Sequence, residues 1–152
     1  MSKLIARTSV FIAISTLAFI ITGCGVSKVT QCSRIDKIIK EVKTSTDELI
    51  KEMETTKPNS DKGIQLINNM AAKYQVSSNT MQKLDLQDEK LKGFQSRFTS
   101  LYKIYSEVSD RMASAVKTKD IQSFNKVSAK ADSTAAEEKS LNKELTEYCA
   151  VK

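Results

Sequence analysis

Three cysteines, Cys24, Cys32 and Cys149, carry most of the chemistry open to this chain. A thiol can be acylated, oxidised to a disulfide or bound to a metal, and its surroundings decide which. The 152 residues include no histidine. That excludes Ser-His-Asp and Cys-His catalysis, imidazole metal ligation and a histidine pH switch. Carboxylates pair up at Asp85/Asp88/Glu89, Glu137/Glu138 and Glu144/Glu147. The first group lacks the ligand spacing and central glycine of a calcium loop. The other two fall in helical sequence beside Lys139 and Lys143, the pattern of solvated Glu/Lys pairs. Diiron bundles need Glu-x-x-His, which this chain does not contain. Met53, Met70, Met81 and Met112 fall at core-facing helical positions, where packing accounts for them better than soft-metal binding. There is no glycine-rich phosphate loop. The expectation is no catalytic residue, no metal, no cofactor and no enzyme.

The cysteines can be interpreted only once their compartment is known. Lys3 and Arg7 form a positive n-region, and Val10 to Thr22 is an apolar run broken by Ser15 and Thr16. A membrane-crossing helix needs about 20 apolar residues, so residues 1–23 read as a cleaved export signal, without a twin-arginine pair. The run ends in Ile21-Thr22-Gly23-Cys24. This tetrad resembles the lipobox of bacterial lipoproteins: an aliphatic residue, a small or hydroxylated one, Gly or Ala, then Cys. The resemblance implies diacylation of the Cys24 thiol, cleavage before it, and acylation of the new amine by a chain such as palmitate. Such an anchor exceeds the two-signal requirement for stable membrane attachment. In bacteria with two membranes, Gly25 in place of Asp implies sorting to the outer membrane.

With Cys24 lipidated, Cys32 and Cys149 remain, an even pair in an oxidising compartment, and a disulfide is expected. The competing arrangements, two free thiols or a metal pair, fit less well, because two sulfurs without histidine need further ligands. The mature chain, residues 24–152, carries 22 basic and 18 acidic side chains. The charges alternate, and no basic stripe interleaved with aromatics appears, so nucleic acid is not an expected partner. Around Arg34, Lys37, Lys40 and Lys43, mild positivity suits a helix beside an anionic membrane surface or simply a solvated face.

The elements that position the cysteines are helical: one proline and four glycines in 152 residues disfavour a turn-rich β fold. Residues 24–32 read as a polar tether, and residues 33–150 as one helical domain. Ile35, Ile38, Ile39, Val42, Thr46, Leu49 and Met53 predict a first helix over about 33–56. Pro58 ends it, and Ser60 or Asn59 caps the next, over about 61–83. The stretch Val76-Ser77-Ser78-Asn79 is its weak point. Asp85 is the expected cap of the third helix. That helix carries a 3-4 seam of Leu91, Phe94, Phe98, Leu101, Tyr105, Val108, Met112 and Ala115. Asp120 caps a fourth helix with the face Ile121, Phe124, Val127, Ala131, Ala135, Leu141, Leu145 and Tyr148. Glu138 falls where that seam passes, beside a small-residue middle.

Four helices with short loops predict an antiparallel up-down-up-down bundle that brings Cys32 beside Cys149. A break in helix two would instead separate the cysteines by a bundle length. Leu91 to Phe98, Tyr102 and the ending Glu147-Tyr148-Cys149 are similar to segments of small helical lipoproteins of cyanobacteria and related bacteria. That likeness implies the fold and the paired cysteines, and brings no activity. The functional expectation is a lipid-anchored, non-enzymatic interaction or assembly module of the envelope. Lys57, Lys62, Lys117 and Lys119 at its distal loops would meet an acidic protein partner. The alternative is a carrier that holds a small ligand between the aromatic seam and the middle of helix four.

Overall fold

The computed structural model of this chain describes residues 26–150; the expected export signal over 1–23, Cys24 and Gly25 lie outside them. The helices are α1 (Lys28–Glu54), α2 (Asp61–Gln82), α3 (Glu89–Thr118) and α4 (Ile121–Ala150). They run up-down-up-down, with no strand among the described residues, and form the expected four-helix bundle.

Local capping sets the boundaries. Ser27 Oγ accepts the Thr30 N–H at 3.2 Å, so α1 begins at Lys28 and not at 33. The expected tether is therefore helical from residue 28 onward. Ser27 and Thr30, which read as a polar link, act as the start signal. Ser60 caps α2 through the Gly63 N–H at 3.1 Å, and α2 is continuous through Val76–Asn79. There the Ser77 and Thr80 hydroxyls donate to carbonyls one turn back. Ser78 donates across to the Thr99 carbonyl at 2.9 Å.

Asp88, not Asp85, caps α3, accepting the Leu91 N–H at 2.9 Å. Leu86 is buried in the core, and the chain from Leu84 to Asp88 stays non-helical to deliver it there. Asp120 caps α4 through the Ser123 N–H at 3.0 Å. Just before it, Lys119 adopts a left-handed conformation at φ 57°. The Asp120 and Lys119 N–H groups bond back to Ala115 and Val116 carbonyls, a Schellman ending usually built with glycine.

The main core lies toward the end that carries the chain termini. It joins Ile35, Ile38 and Val42 of α1, Met81 of α2, Leu91 to Tyr105 along α3, and Leu141 and Leu145 of α4. α3 is the spine, packing extensively on α2 and α4, whereas α1 packs on α2 and meets α4 only sparsely. Away from the termini the expected α4 face is covered only in part, with Val127 buried. Ile121 is 73% exposed and Phe124 39%, and Ala135 is exposed too. The buried positions of α4 are Val127, Thr134, Leu141 and Leu145, so in its middle the face passes through the fully buried Thr134 and not through the expected Ala135.

Candidate functional site

At the terminal end, Cys32 and Cys149 form the expected disulfide, Cα atoms 6.0 Å apart across a separation of 117 residues. Closing a loop of that length contributes about 4–5 kcal/mol in the chain-entropy model. Several side chains tie the same end together. Buried Gln31 accepts the N–H groups of Gln87 and Asp88 at 2.6 and 3.0 Å and donates to the Val26 carbonyl at 2.6 Å. Gln95 Nε2 donates to the Met81, Gln82 and Leu84 carbonyls, closing the C-terminus of α2. Arg34 reaches the Asp85 carbonyl at 3.1 Å. Tyr148 donates to Asp88 at 2.7 Å, with Lys28 and Lys90 over its ring. The Leu91 N–H, followed by the Tyr148 hydroxyl, holds the Asp88 carboxyl below its ordinary value. None of these contacts was legible in the sequence, because Gln31 and Gln95 carry no periodic signal and their partners are backbone atoms of a distant connector.

The distal end gathers the α1–α2 and α3–α4 turns, and with them Lys57, Lys62, Lys117 and Lys119. They are not equivalent. Lys62 Nζ lies 2.9 Å from a Glu52 carboxylate oxygen, joining α1 to α2, so it is engaged within the fold. Lys57, Lys117 and Lys119 are exposed and form no ion pair among the described residues. Beside the α3–α4 turn, sequence reasoning missed three more cations. Arg111, Lys126 and Lys130 rim a cleft of about 160 Å³ floored by Ile104, Val108 and Val127, with Glu107 at its edge. They also make no ion pair among the described residues. Alternating charge along α3 and α4 gives no sign that Arg111 of one and Lys126 and Lys130 of the other line one groove.

Midway along the bundle a third feature opens between α1 and α4. It is a cleft of about 360 Å³ lined by Ile39, Val42, Lys43, Thr46, Tyr74, Ala135, Glu138, Lys139 and Asn142. The Tyr74 ring stacks on Tyr105 with centroids 4.7 Å apart and lies 6.2 Å from Tyr102. The Tyr105 hydroxyl donates to Glu138 Oε2 at 2.9 Å. Glu138 thus meets Tyr105 from α4, in line with its place on the seam. Burial, and then the negative charge of Glu138, pushes the Tyr74 phenol up to about 12. The same two causes raise the Tyr102 and Tyr105 phenols still further. Tyr102 is fully buried and its hydroxyl has no hydrogen-bond partner among the described residues.

Among the described residues no three carboxylate or thiolate groups come together as metal ligands. No described helix is long and apolar enough to cross a membrane. The fold and its sites thus define an all-α bundle tied at one end by a disulfide and opened by a cleft between its first and last helices. Comparison with protein-family models, curated proteins and solved structures finds no match for this chain.

Proposed function

We propose that the chain is an exported lipoprotein, anchored through acyl chains on Cys24, that works as a non-enzymatic interaction module of the bacterial envelope. The supporting observation is the asymmetry of the bundle. The disulfide-tied end carries Cys32, which follows Cys24 by eight residues in the sequence, and α1, at 27 residues, spans about 40 Å at 1.5 Å per residue. The unpaired cations Lys57, Lys117 and Lys119 stand at the far end, directed away from the membrane and available to an acidic protein partner. Lys62 has a smaller share, because Glu52 already matches its charge.

Intact mass of protein gently extracted from its membrane, measured before and after reduction, tests the anchor. The expected species is residues 24–152 plus acyl chains, heavier by two hydrogen atoms once reduced. A product without lipid, or one retaining residues 1–23, overturns the proposal. The contact is tested by exchanging Lys57, Lys117 and Lys119 for Glu. In-cell cross-linking to the partner should disappear, and unchanged cross-linking removes the distal end from the contact.

A second reading, a carrier for a small ligand, is favoured by the α1–α4 cleft, which lies where the aromatic seam meets the small-residue middle of α4. Phe or Leu at Ala131 and Ala135 should block an occupied cleft while leaving the bundle folded.

A further inference from the structure

The geometry points to the α1–α4 cleft as a binding site for a small organic cation with an apolar body, its charged group held by Glu138. This inference rests on the carrier reading and adds the chemistry of the ligand. Four helices contribute to the site: Ile39, Val42 and Thr46 from α1, Tyr74 from α2, Tyr105 behind it from α3, and Glu138 from α4. The apolar part of a ligand finds Ile39, Val42 and the Tyr74 ring. Glu138 is the one carboxylate among the described residues lining the cleft.

Tyr105 occupies Glu138 Oε2, which orients the carboxylate and leaves Oε1 for a second donor. A charge-assisted hydrogen bond there is stronger than one between neutral groups. Stacked phenol rings add cation–π attraction for the same ligand charge. The phenols are neutral at physiological pH, as any phenol with an ordinary value of 10.0 is, and burial moves them further from ionisation.

Two cations also line the cleft. Lys43 is matched by Asp47, with Nζ to Oδ2 at 3.2 Å. Lys139 is exposed, and its long stem lets the ammonium move out to solvent. The volume, about 360 Å³, suits a ring bearing a short amine chain and falls at the small end of ligand pockets.

The test uses three probes with one shared body: phenethylammonium, 2-phenylethanol and 3-phenylpropionate. Each is titrated into the membrane-extracted, disulfide-intact chain by calorimetry and by tyrosine emission. With no Trp in the sequence, and three of its four Tyr at this site, the emission reports the cleft. The cation should bind at least about tenfold more tightly than either other probe, as one charge-assisted contact allows. Glu138→Gln keeps an acceptor for Tyr105 and should remove that preference, whereas Glu137→Gln, one residue away and exposed, should leave it intact. Ala135→Phe should abolish binding of all three, with helicity by circular dichroism unchanged.

Stronger binding of the alcohol or the carboxylate overturns the cation inference and leaves the carrier reading standing. Absence of binding by any probe overturns both. A cation preference that survives Glu138→Gln or Ala135→Phe places binding elsewhere and overturns the assignment of this cleft.

Discussion

The two ends of this bundle use similar helices to different effect. At the terminal end, apolar side chains from all four helices join one core, and polar side chains without exception in the Gln31, Gln95 and Arg34 set bond across elements. At the distal end, the capping bonds of Ser60 and Asp120 are local, Lys62–Glu52 links α1 to α2, and apolar groups such as Ile50, Ile121 and Phe124 remain exposed. The amphipathic pattern of α1 and α4 runs through both halves, so periodicity alone does not explain the difference. Covalent closure does: the disulfide and the clasp beside it hold α1 against α4 where they lie, and nothing comparable holds them farther out. A helical face is buried only where a partner helix is held close enough to cover it.

Removing the disulfide challenges this comparison most severely. Cys32→Ala with Cys149→Ala should lower stability by about 4 kcal/mol, read from urea denaturation. Hydrogen exchange should show the loss first in α1 and the last turns of α4. A loss below about 1 kcal/mol would mean that packing alone keeps the terminal end closed.

Core truncation comes next. Leu141 is fully buried, so Leu141→Ala should cost about 2–5 kcal/mol. Phe124→Ala, at the open end, should cost under about 1 kcal/mol. Equal losses would erase the distinction between the halves.

Alkaline pH probes the middle of the molecule. The folded Tyr74 phenol titrates near 12 against an ordinary value of 10.0. Between those values the unfolded chain has released a proton that the folded chain still holds. Its stabilising contribution is complete below pH 10 and is lost as pH rises toward 12. Stability measured alongside phenolate absorbance should decline across that window. Glu138→Gln should bring tyrosine ionisation to lower pH, since the Glu138 charge is the second cause of the raised values.

Two glycines should give effects of opposite sign. A Cβ at Gly63 would lie 2.6 Å from the Pro58 carbonyl oxygen and run into the Lys57 carbonyl, so Gly63→Ala should destabilise the α1–α2 turn by about 1–3 kcal/mol. Gly93 is exposed within α3 with nothing within 4 Å of its Cβ position. Gly93→Ala should stabilise by about 0.5–1 kcal/mol. Paired melting curves check both, and a stabilised Gly63→Ala would show that the turn can yield.

Much of the architecture was legible before any coordinates. The α3 seam is buried from Leu91 to Ala115 apart from a half-covered Met112, because a sustained 3-4 repeat has few ways to be satisfied other than as a central helix. Ser60 and Asp120 act as the expected caps. Asp85 was misjudged because the choice between two aspartates depends on Leu86, whose burial keeps the intervening chain extended. The tether was misjudged because capping residues and linker residues are the same polar types. Of the candidate site, the export signal and Cys24 are read from sequence and lie outside the described residues, whereas the Gln31 clasp and the Arg111, Lys126 and Lys130 groove carry no local signature.

By itself the sequence determined the all-α class, the order of four helices and the pairing of Cys32 with Cys149. Periodicity and loop length are local properties, and an even cysteine pair leaves few alternatives. The tertiary structure alone decided which apolar stripes are covered, which lysine is already matched, and that Glu138 meets Tyr105 beside an open cleft. Those outcomes depend on how all four helices pack against one another, which is set along the whole bundle and encoded at no single position.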